Sequence, residues 1–306
     1  MPKLSGPKEA WDDMSLVIPS YNTKPQHLLE CIYSIYANTV WPGLCLIVND
    51  FSDDQGTLQM YEYILNNYSD MNIKLIKSEE HTIGGGHPMN VGYRYIKDKY
   101  SLIRYMGSDD LLDDCMIYMH RHIIENWEVQ FTEKLSQNPE YKQYMDNTKG
   151  MGGVQTYHIM MLEKLNKFVR TETASHPVMF VDKLSEFEYE PGKIWQENKA
   201  RDVDGPVLAR FYKKYFCATT TNYYGEVYRI HGDNQMSHNA DGEWYGPIED
   251  GEENDRKLNL YAKRKSFNQK QDNKVNRIIQ KYKDGKLSKS KILRYTKEGI
   301  ICSDHL

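Results

Sequence analysis

Residues 14–22 read MSLVIPSYN and residues 44–52 read LCLIVNDFS. In both, a short apolar run gives way to polar residues and then to the spacing of a helix start: TKPQ at 23–26 and SDDQ at 52–55 have capping-box form. Leu28, Ile32, Ile35 and Tyr36 then recur at helical intervals, as do Leu58, Tyr61 and Leu65. Pro19 cannot donate to a sheet ladder, so the first strand is read as ending there. The unit repeats. Residues 73–76 form a third strand, 90–99 a third helix and 102–106 a fourth strand, and Leu112, Met116, Met119 and Ile123 stripe a fourth helix that begins at Leu111. Apolar strands alternating with amphipathic helices predict an α/β fold, doubly wound, with a mostly parallel sheet covered by helices on both faces. Ligands of such sheets sit beyond the carboxyl ends of the strands.

Those exits carry the chemistry. After the first stand Pro19, Tyr21 and Asn22, and after the second Asp50, where a ring and a carboxylate could pack on a nucleobase and accept its N–H. The plain alternative is a proline turn and an Asx cap. After the third, residues 84–92 read GGGHPMNVG, a run that frees backbone for close approach to an anion at a helix N-terminus, or simply a flexible turn. After the fourth, Asp109 and Asp110 are adjacent carboxylates whose repulsion a hard cation such as Mg²⁺ or Mn²⁺ would relieve, unless they cap the next helix. Downstream, Asp202 and Asp204 precede a helix containing Leu208, where one could remove a proton from an acceptor hydroxyl. His231 follows a predicted strand over 222–230.

Composition bounds the rest. The chain has 306 residues, 40% hydrophobic and 27% charged, enough apolar material for a core. A net charge of −4 offers no field for a nucleic-acid backbone. Without a long apolar segment or a secretory leader, a cytoplasmic protein with no transmembrane segment is expected. The five cysteines are odd in number and widely spaced, which suits reduced thiols. The 24 Tyr and 5 Trp suit a carbohydrate binder but also an ordinary core. Residues 127–200 read as an acceptor-side region with loops. The tail is rich in Lys, Asn and Gln, with helices expected near 275–282 and 289–295. The division expected is 1–245 as catalytic domain, its 1–126 half binding nucleotide-sugar and its 127–245 half facing the acceptor, with 246–306 a C-terminal helical appendage.

Taken together, these motifs resemble the family 2 glycosyltransferases, the inverting group with the GT-A fold. The resemblance covers about Ser15 to Ser237. It rests on V-I-P-x-Y-N at 17–22, V-N-D at 48–50, M-N-V-G at 89–92, G-S-D-D at 107–110, R-D-V-D at 201–204 and Y-R-I-H at 228–231. It implies transfer of a sugar from a nucleotide-sugar donor, a UDP-sugar by the family norm, to a saccharide or glycan acceptor, with a divalent cation, Mn²⁺ or Mg²⁺. Nucleotide contacts would come from Pro19, Tyr21, Asn22, Asp50, Gly85, Asn90, Ser108 and Asp109, and metal ligands from Asp109 and His231. Asp202 would be the base, and Asp110, Asp204 and Trp195 would contact donor sugar or acceptor. Met89, Gly107 and Arg201 depart from the family's usual arginine, first metal-motif aspartate and acid. The synthase signature Q-x-x-R-W is absent, which points away from a processive synthase. The alternatives are a degenerate sugar- or nucleotide-binding module, to which those departures lend weight, and a sugar nucleotidyltransferase, which would want a basic residue near the first exit.

Overall fold

The computed structural model describes residues 8–82, 84–126, 143, 146–163, 167–197, 203–231, 280, 292–296 and 299–303. Strands β1 (Ala10–Ser20), β2 (Trp41–Asn49), β3 (Ile73–Lys77) and β4 (Leu102–Tyr105) alternate with helices α1 (Pro25–Tyr36), α2 (Gln55–Asn67) and α3 (Gly86–Ile96). A nine-stranded sheet takes the order β3-β2-β1-β4-β8-β6-β9-β5, with β7 on β6. The first four strands are mutually parallel. Beyond them β8 (Val178–Phe180), β6 (Met151–Leu162), β7 (Lys167–Ala174) and β5 (Leu111–Leu112) join by antiparallel pairings, and β6 runs parallel to β9 (Phe216–Ile230).

Both faces of the sheet are covered, as period-two alternation along buried strands requires. Leu16, Ile18, Cys45 and Ile47 pack with Leu28 and Ile32 of α1, Met60 and Ile64 of α2, and Met116 of α4 (Met116–Glu125). On the other face Val17, Leu46 and Val48 pack with Tyr93 and Ile96 of α3, Leu184 of α5 (Val181–Ser185), and Val207 and Phe211 of α6 (Gly205–Lys214). Gly92 lets α3 lie close on the sheet, since a Cβ there would stand 2.4 Å from Val17 Cγ1.

Several local expectations change. β1 runs through Pro19 to Ser20, because its pairing with β4 ends at Val17 and Pro19 has no donor to supply on that side. Thr23 does not cap α1, which begins at Pro25 after Lys24; the cap of α2 is Asp54, which accepts from the Thr57 N–H at 2.7 Å. Leu111 and Leu112 do not open a helix but pair with Val227 and Glu226 of β9. Near 289–295 the tail holds an antiparallel hairpin, β10 (Ile292–Thr296) with β11 (Gly299–Ser303), in place of a helix. The helix expected over 275–282 lies, apart from Gln280, outside the described residues.

The second half of the sheet is keyed to the first by buried charge. Arg104, fully buried on β4, donates to Glu226 of β9 at 2.5 Å, and Arg229 of β9 donates to Glu30 of α1 at 2.5 Å. Removing one partner of such a pair leaves the other charge buried and uncompensated, at a cost of about 3–5 kcal/mol. Glu226→Ala should therefore lose about 3 kcal/mol or more in denaturant unfolding. A loss below about 1 kcal/mol would show that β9 is not anchored through this pair.

Candidate active site

The exits of β1 and β2 are tied into one wall. Asn22, at φ 44, a left-handed conformation that Asn tolerates, accepts at Oδ1 from the N–H groups of Asp53 and Asp54 at 3.0 Å and donates from Nδ2 to Asp53 at 2.7 Å. Its amide is thus spent on clamping two loops rather than held out to a nucleotide. A hydroxyl chain continues the wall: Tyr61 donates to Ser20 at 2.8 Å, Ser20 bonds Thr23 at 3.0 Å, and Thr23 bonds Ser108 at 2.6 Å. Pro19 is partly exposed beside it.

Above that wall Tyr21 stands 47% exposed, and Asp50 is buried with its carboxylate directed to the same place. Asp50 accepts from the Ser78 hydroxyl at Oδ1 and bonds His81 Nδ1 at Oδ2, both at 2.8 Å. The His81 ring stacks on Tyr21 with centroids 4.0 Å apart. Next to Asp50, Phe51 is held at φ 64 and 43% exposed, with Lys77 Nζ 4.0 Å over its ring. A bulky residue in that conformation is strained and gains little burial in return, a feature that concentrates at functional sites.

At the exit of β4, the β5–β9 pairing brings Asp109 Oδ2 within 2.7 Å of His231 Nε2. Asp110 turns inward: it is buried and accepts from the Arg229 backbone N–H at 2.9 Å. Burial, then the charges of Asp109 and Glu226, push its carboxyl well above the usual range. It is therefore not presented to a sugar. Gly107 has a physical reason: a Cβ there would meet Asp110 Oδ2 at 2.6 Å and Asp109 Oδ1 at 2.9 Å. Beneath His231, the His27 ring lies 4.8 Å away, tilted, and bonds Glu163 at 2.7 Å, with Arg229 3.6 Å from the same carboxylate.

Among the described residues no group of three or more His, Cys, Asp or Glu is arranged to hold a metal. The Asp109 carboxylate, 2.7 Å from His231, is of the type that holds Mg²⁺ or Mn²⁺, since Mg²⁺ keeps several waters and is held by one or two carboxylates together with substrate phosphates.

On the acceptor side the expectations fare unevenly. Asp202 lies outside the described residues. Asp204 precedes α6 and bonds His176 at 2.8 Å; burial would raise its carboxyl, but the His176 contact prevails and holds it at about 2. Trp195 is fully buried, edge-on to Tyr105 at 5.1 Å, so it is core rather than a sugar platform. Asn90 is also fully buried, accepting from the Ile194 and Trp195 N–H groups at 2.9 Å and donating to the Trp195 carbonyl at 2.8 Å. It pins the 194–197 segment against α3 instead of meeting a nucleotide. Gly85 is the N-cap of α3, and Gly86 admits that segment, its added Cβ falling 2.1 Å from the Gln196 carbonyl oxygen. His27, His81, Glu163 and His176 escaped sequence reasoning; only His81, on the loop leaving β3, sat where an exit residue could have been sought.

The parallel half-sheet with its antiparallel extension has the architecture of the GT-A glycosyltransferase fold. The model of the family "Glycosyl transferase family 2" matches residues 15–178, more than half of the sequence, and the chain belongs to that family. No curated protein matches it significantly in sequence. In fold it is similar to S. aureus TarS, with 13% identity and a TM-score of 0.50 over 74% of this chain and 38% of that one. The chain thus spans well under half of that TarS structure. S. aureus TarS 1–349 in complex with UDP-GlcNAc is 15% identical with a TM-score of 0.49, covering 90% of this chain and 75% of that one. Mannosyltransferase PcManGT from Pyrobaculum calidifontis, in complex with GDP-Man and Mn²⁺, is 13% identical with a TM-score of 0.42, over 68% of this chain and 54% of that one. Such identities speak to fold alone. No described helix is long and apolar enough to cross a membrane.

Two outcomes are expected. The His27 hydrogen bond, opposed by partial burial and helped by the charges of His27 and Arg229, lowers the Glu163 carboxyl from 4.5 to about 2. A depressed carboxylate stabilises the fold above its unfolded pKa and loses that contribution as pH falls through its folded one. The melting temperature should therefore drop between about pH 4.5 and pH 2, and Glu163→Gln should flatten that limb; parallel curves would remove the coupling. Gly107→Asp, although it restores the family's usual acid, should lower the melting temperature, because a third carboxylate would stand against Asp109 and the buried Asp110. A melting temperature at or above that of the parent would contradict this.

Proposed function

We propose that the chain is an inverting, divalent-cation-dependent glycosyltransferase that moves a sugar, of hexosyl type, from a UDP-sugar to a hydroxyl of a saccharide or glycan acceptor. One observation carries the reading: the Tyr21–Asp50 pair and the Asp109–His231 pair stand at the same edge of the sheet. β1 lies between β2 and β4, so the exits bearing Asp50 and Asp109 are two strand spacings apart, about 10 Å. A nucleoside diphosphate spans such a distance from base to terminal phosphate.

In this reading Tyr21 stacks on the base and Asp50 accepts its N–H. Asp109 and His231 are the residues that would hold the cation. Bound there, a divalent ion supplies positive charge for the departing diphosphate. Asp202 takes the proton of the acceptor hydroxyl as its oxygen attacks the anomeric carbon from the face opposite the leaving group. The bond from that carbon to the diphosphate oxygen breaks and its electron pair leaves with the nucleotide, so the configuration inverts without a covalent enzyme intermediate. His176 supports this by fixing Asp204, two residues beyond Asp202. The site is expected to work in the cytoplasm, where nucleotide sugars are made.

Asp202→Asn should keep UDP binding while sugar transfer falls by about 10²-fold or more, the typical worth of a positioned base. Asp109→Ala should lose Mn²⁺-dependent UDP binding, read by calorimetry with and without the ion. Full transfer by Asp202→Asn would remove the base assignment, and unchanged Mn²⁺ dependence in Asp109→Ala would remove the cation site.

A further inference from the structure

We propose that His81 holds the nucleobase's place between Tyr21 and Asp50, so that the donor binds by exchanging one ring for another and His81 sets donor affinity. The proposal rests on the base-site reading above. A nucleobase at this site has two needs: a flat contact with an aromatic face, and a carboxylate to receive a ring N–H. The His81 imidazole already meets both. It lies 4.0 Å from the Tyr21 ring at an interplanar angle of 18°, and its Nδ1 is 2.8 Å from Asp50 Oδ2. Because a ring hydrogen bond lies in the plane of the ring, the carboxylate oxygen serves the layer that His81 occupies. A base on the opposite face of Tyr21 would be two ring layers away, out of hydrogen-bonding reach. A base on the outer face of His81 would forgo Tyr21. Both contacts are available to a ligand only when the imidazole leaves.

The surroundings allow that exchange. Asp50 is kept in position without His81, since the Ser78 hydroxyl bonds its other oxygen at 2.8 Å and Asp50 is itself only 3% exposed. Ser78 is fixed in turn by its backbone N–H to the Asn49 carbonyl oxygen at 2.9 Å. Ser78 and Thr82 are buried, and the exposed residues between them are Glu79, Glu80 and His81. His81 itself is 40% exposed at its side chain, and among the described residues rotation into solvent breaks the stacking on Tyr21 and the hydrogen bond to Asp50. On the far side Gly84, at φ 94, gives the chain a residue for which left-handed backbone carries no strain. The carboxylate of the pocket is thus held without its occupant, and the occupant is movable.

Occupancy of a site by its own side chain lowers apparent affinity by the fraction of time the site is open. A ring in place about nine-tenths of the time weakens binding about tenfold. The test uses the full chain with Mn²⁺, measuring UDP by calorimetry and uridine and pyrophosphate by displacement of UDP. His81→Ala should tighten UDP and uridine by about tenfold and leave pyrophosphate unchanged, because the competition is for the base and not for the phosphates. His81→Ser, a second truncation of a half-exposed side chain, should do the same. UDP and uridine bound no more tightly, or more weakly, by both variants would overturn the proposal. Asp50→Asn separates the two layers of inference. If it weakens uridine while neither His81 variant tightens it, His81 alone is misassigned. If it leaves uridine binding unchanged, the base site itself is wrong and the His81 proposal falls with it.

Discussion

The site is assembled by a two-residue ladder. Leu111 and Leu112 pair antiparallel with Val227 and Glu226, and that register carries β9 past the exit of β4 so that Arg229 meets Asp110 and His231 meets Asp109. Asp109 and His231 are 122 residues apart in sequence, and closing so long a loop costs entropy that two residues of ladder alone would not offset. The long parallel pairing of β9 with β6 supplies most of the remaining restraint, and buried ion pairs add to it. Glu226 and Arg229 lie on the strand that must be positioned, and each is met by an opposite charge from an element of the first half, Arg104 on β4 and Glu30 on α1. Hydrophobic residues could have stabilised these contacts as well or better, but they would fix a register less uniquely, since an apolar contact survives a slip that leaves a buried charge unpaired. The charges thus add to the register that the ladders of β9 with β6 and β5 set, and that register makes the Asp–His pair.

The two ends of the site are held by different means. The end at the exits of β1 and β2 is fixed by short-range polar clamps: the Asn22 amide on the 53–54 backbone and the hydroxyl chain from Tyr61 to Ser108. These are local, because parallel strands deliver neighbouring exits close together whatever lies elsewhere in the chain. The Asp109 end depends on β9 and so on the whole second half of the sheet. A perturbation of β9 should be felt first at Asp109 and His231, while Tyr21 and Asp50 keep their places.

This difference also explains what could be read from sequence. Strands buried on both faces must be apolar throughout, so β1, β2 and β4 are visible as runs, and the helices between them as stripes. Exits follow from strands, which is why Tyr21, Asp50 and Asp109 could be picked out as neighbours in space. Leu111 and Leu112 were misread as the start of a helix because their partner arrives from far along the chain, and periodicity carries no trace of a partner that distant. The same holds for Arg104, whose single charge inside an apolar run is intelligible only once Glu226 is beside it.

The residues misjudged in role share another cause. Asn22, Asn90 and Trp195 are of the types that bind ligands, and they sit close to the strand exits, yet each is used to satisfy backbone or fill core. Backbone that leaves a sheet loses its ladder partners, so side-chain amides that satisfy it gather at strand exits. Sequence proximity to an exit therefore identifies a neighbourhood, and exposure decides the role within it. By that measure Tyr21, Phe51 and His81 are rings left facing outward at the first exits. The wall behind them spends polar groups on itself, and the Asp50 carboxylate lies buried behind His81.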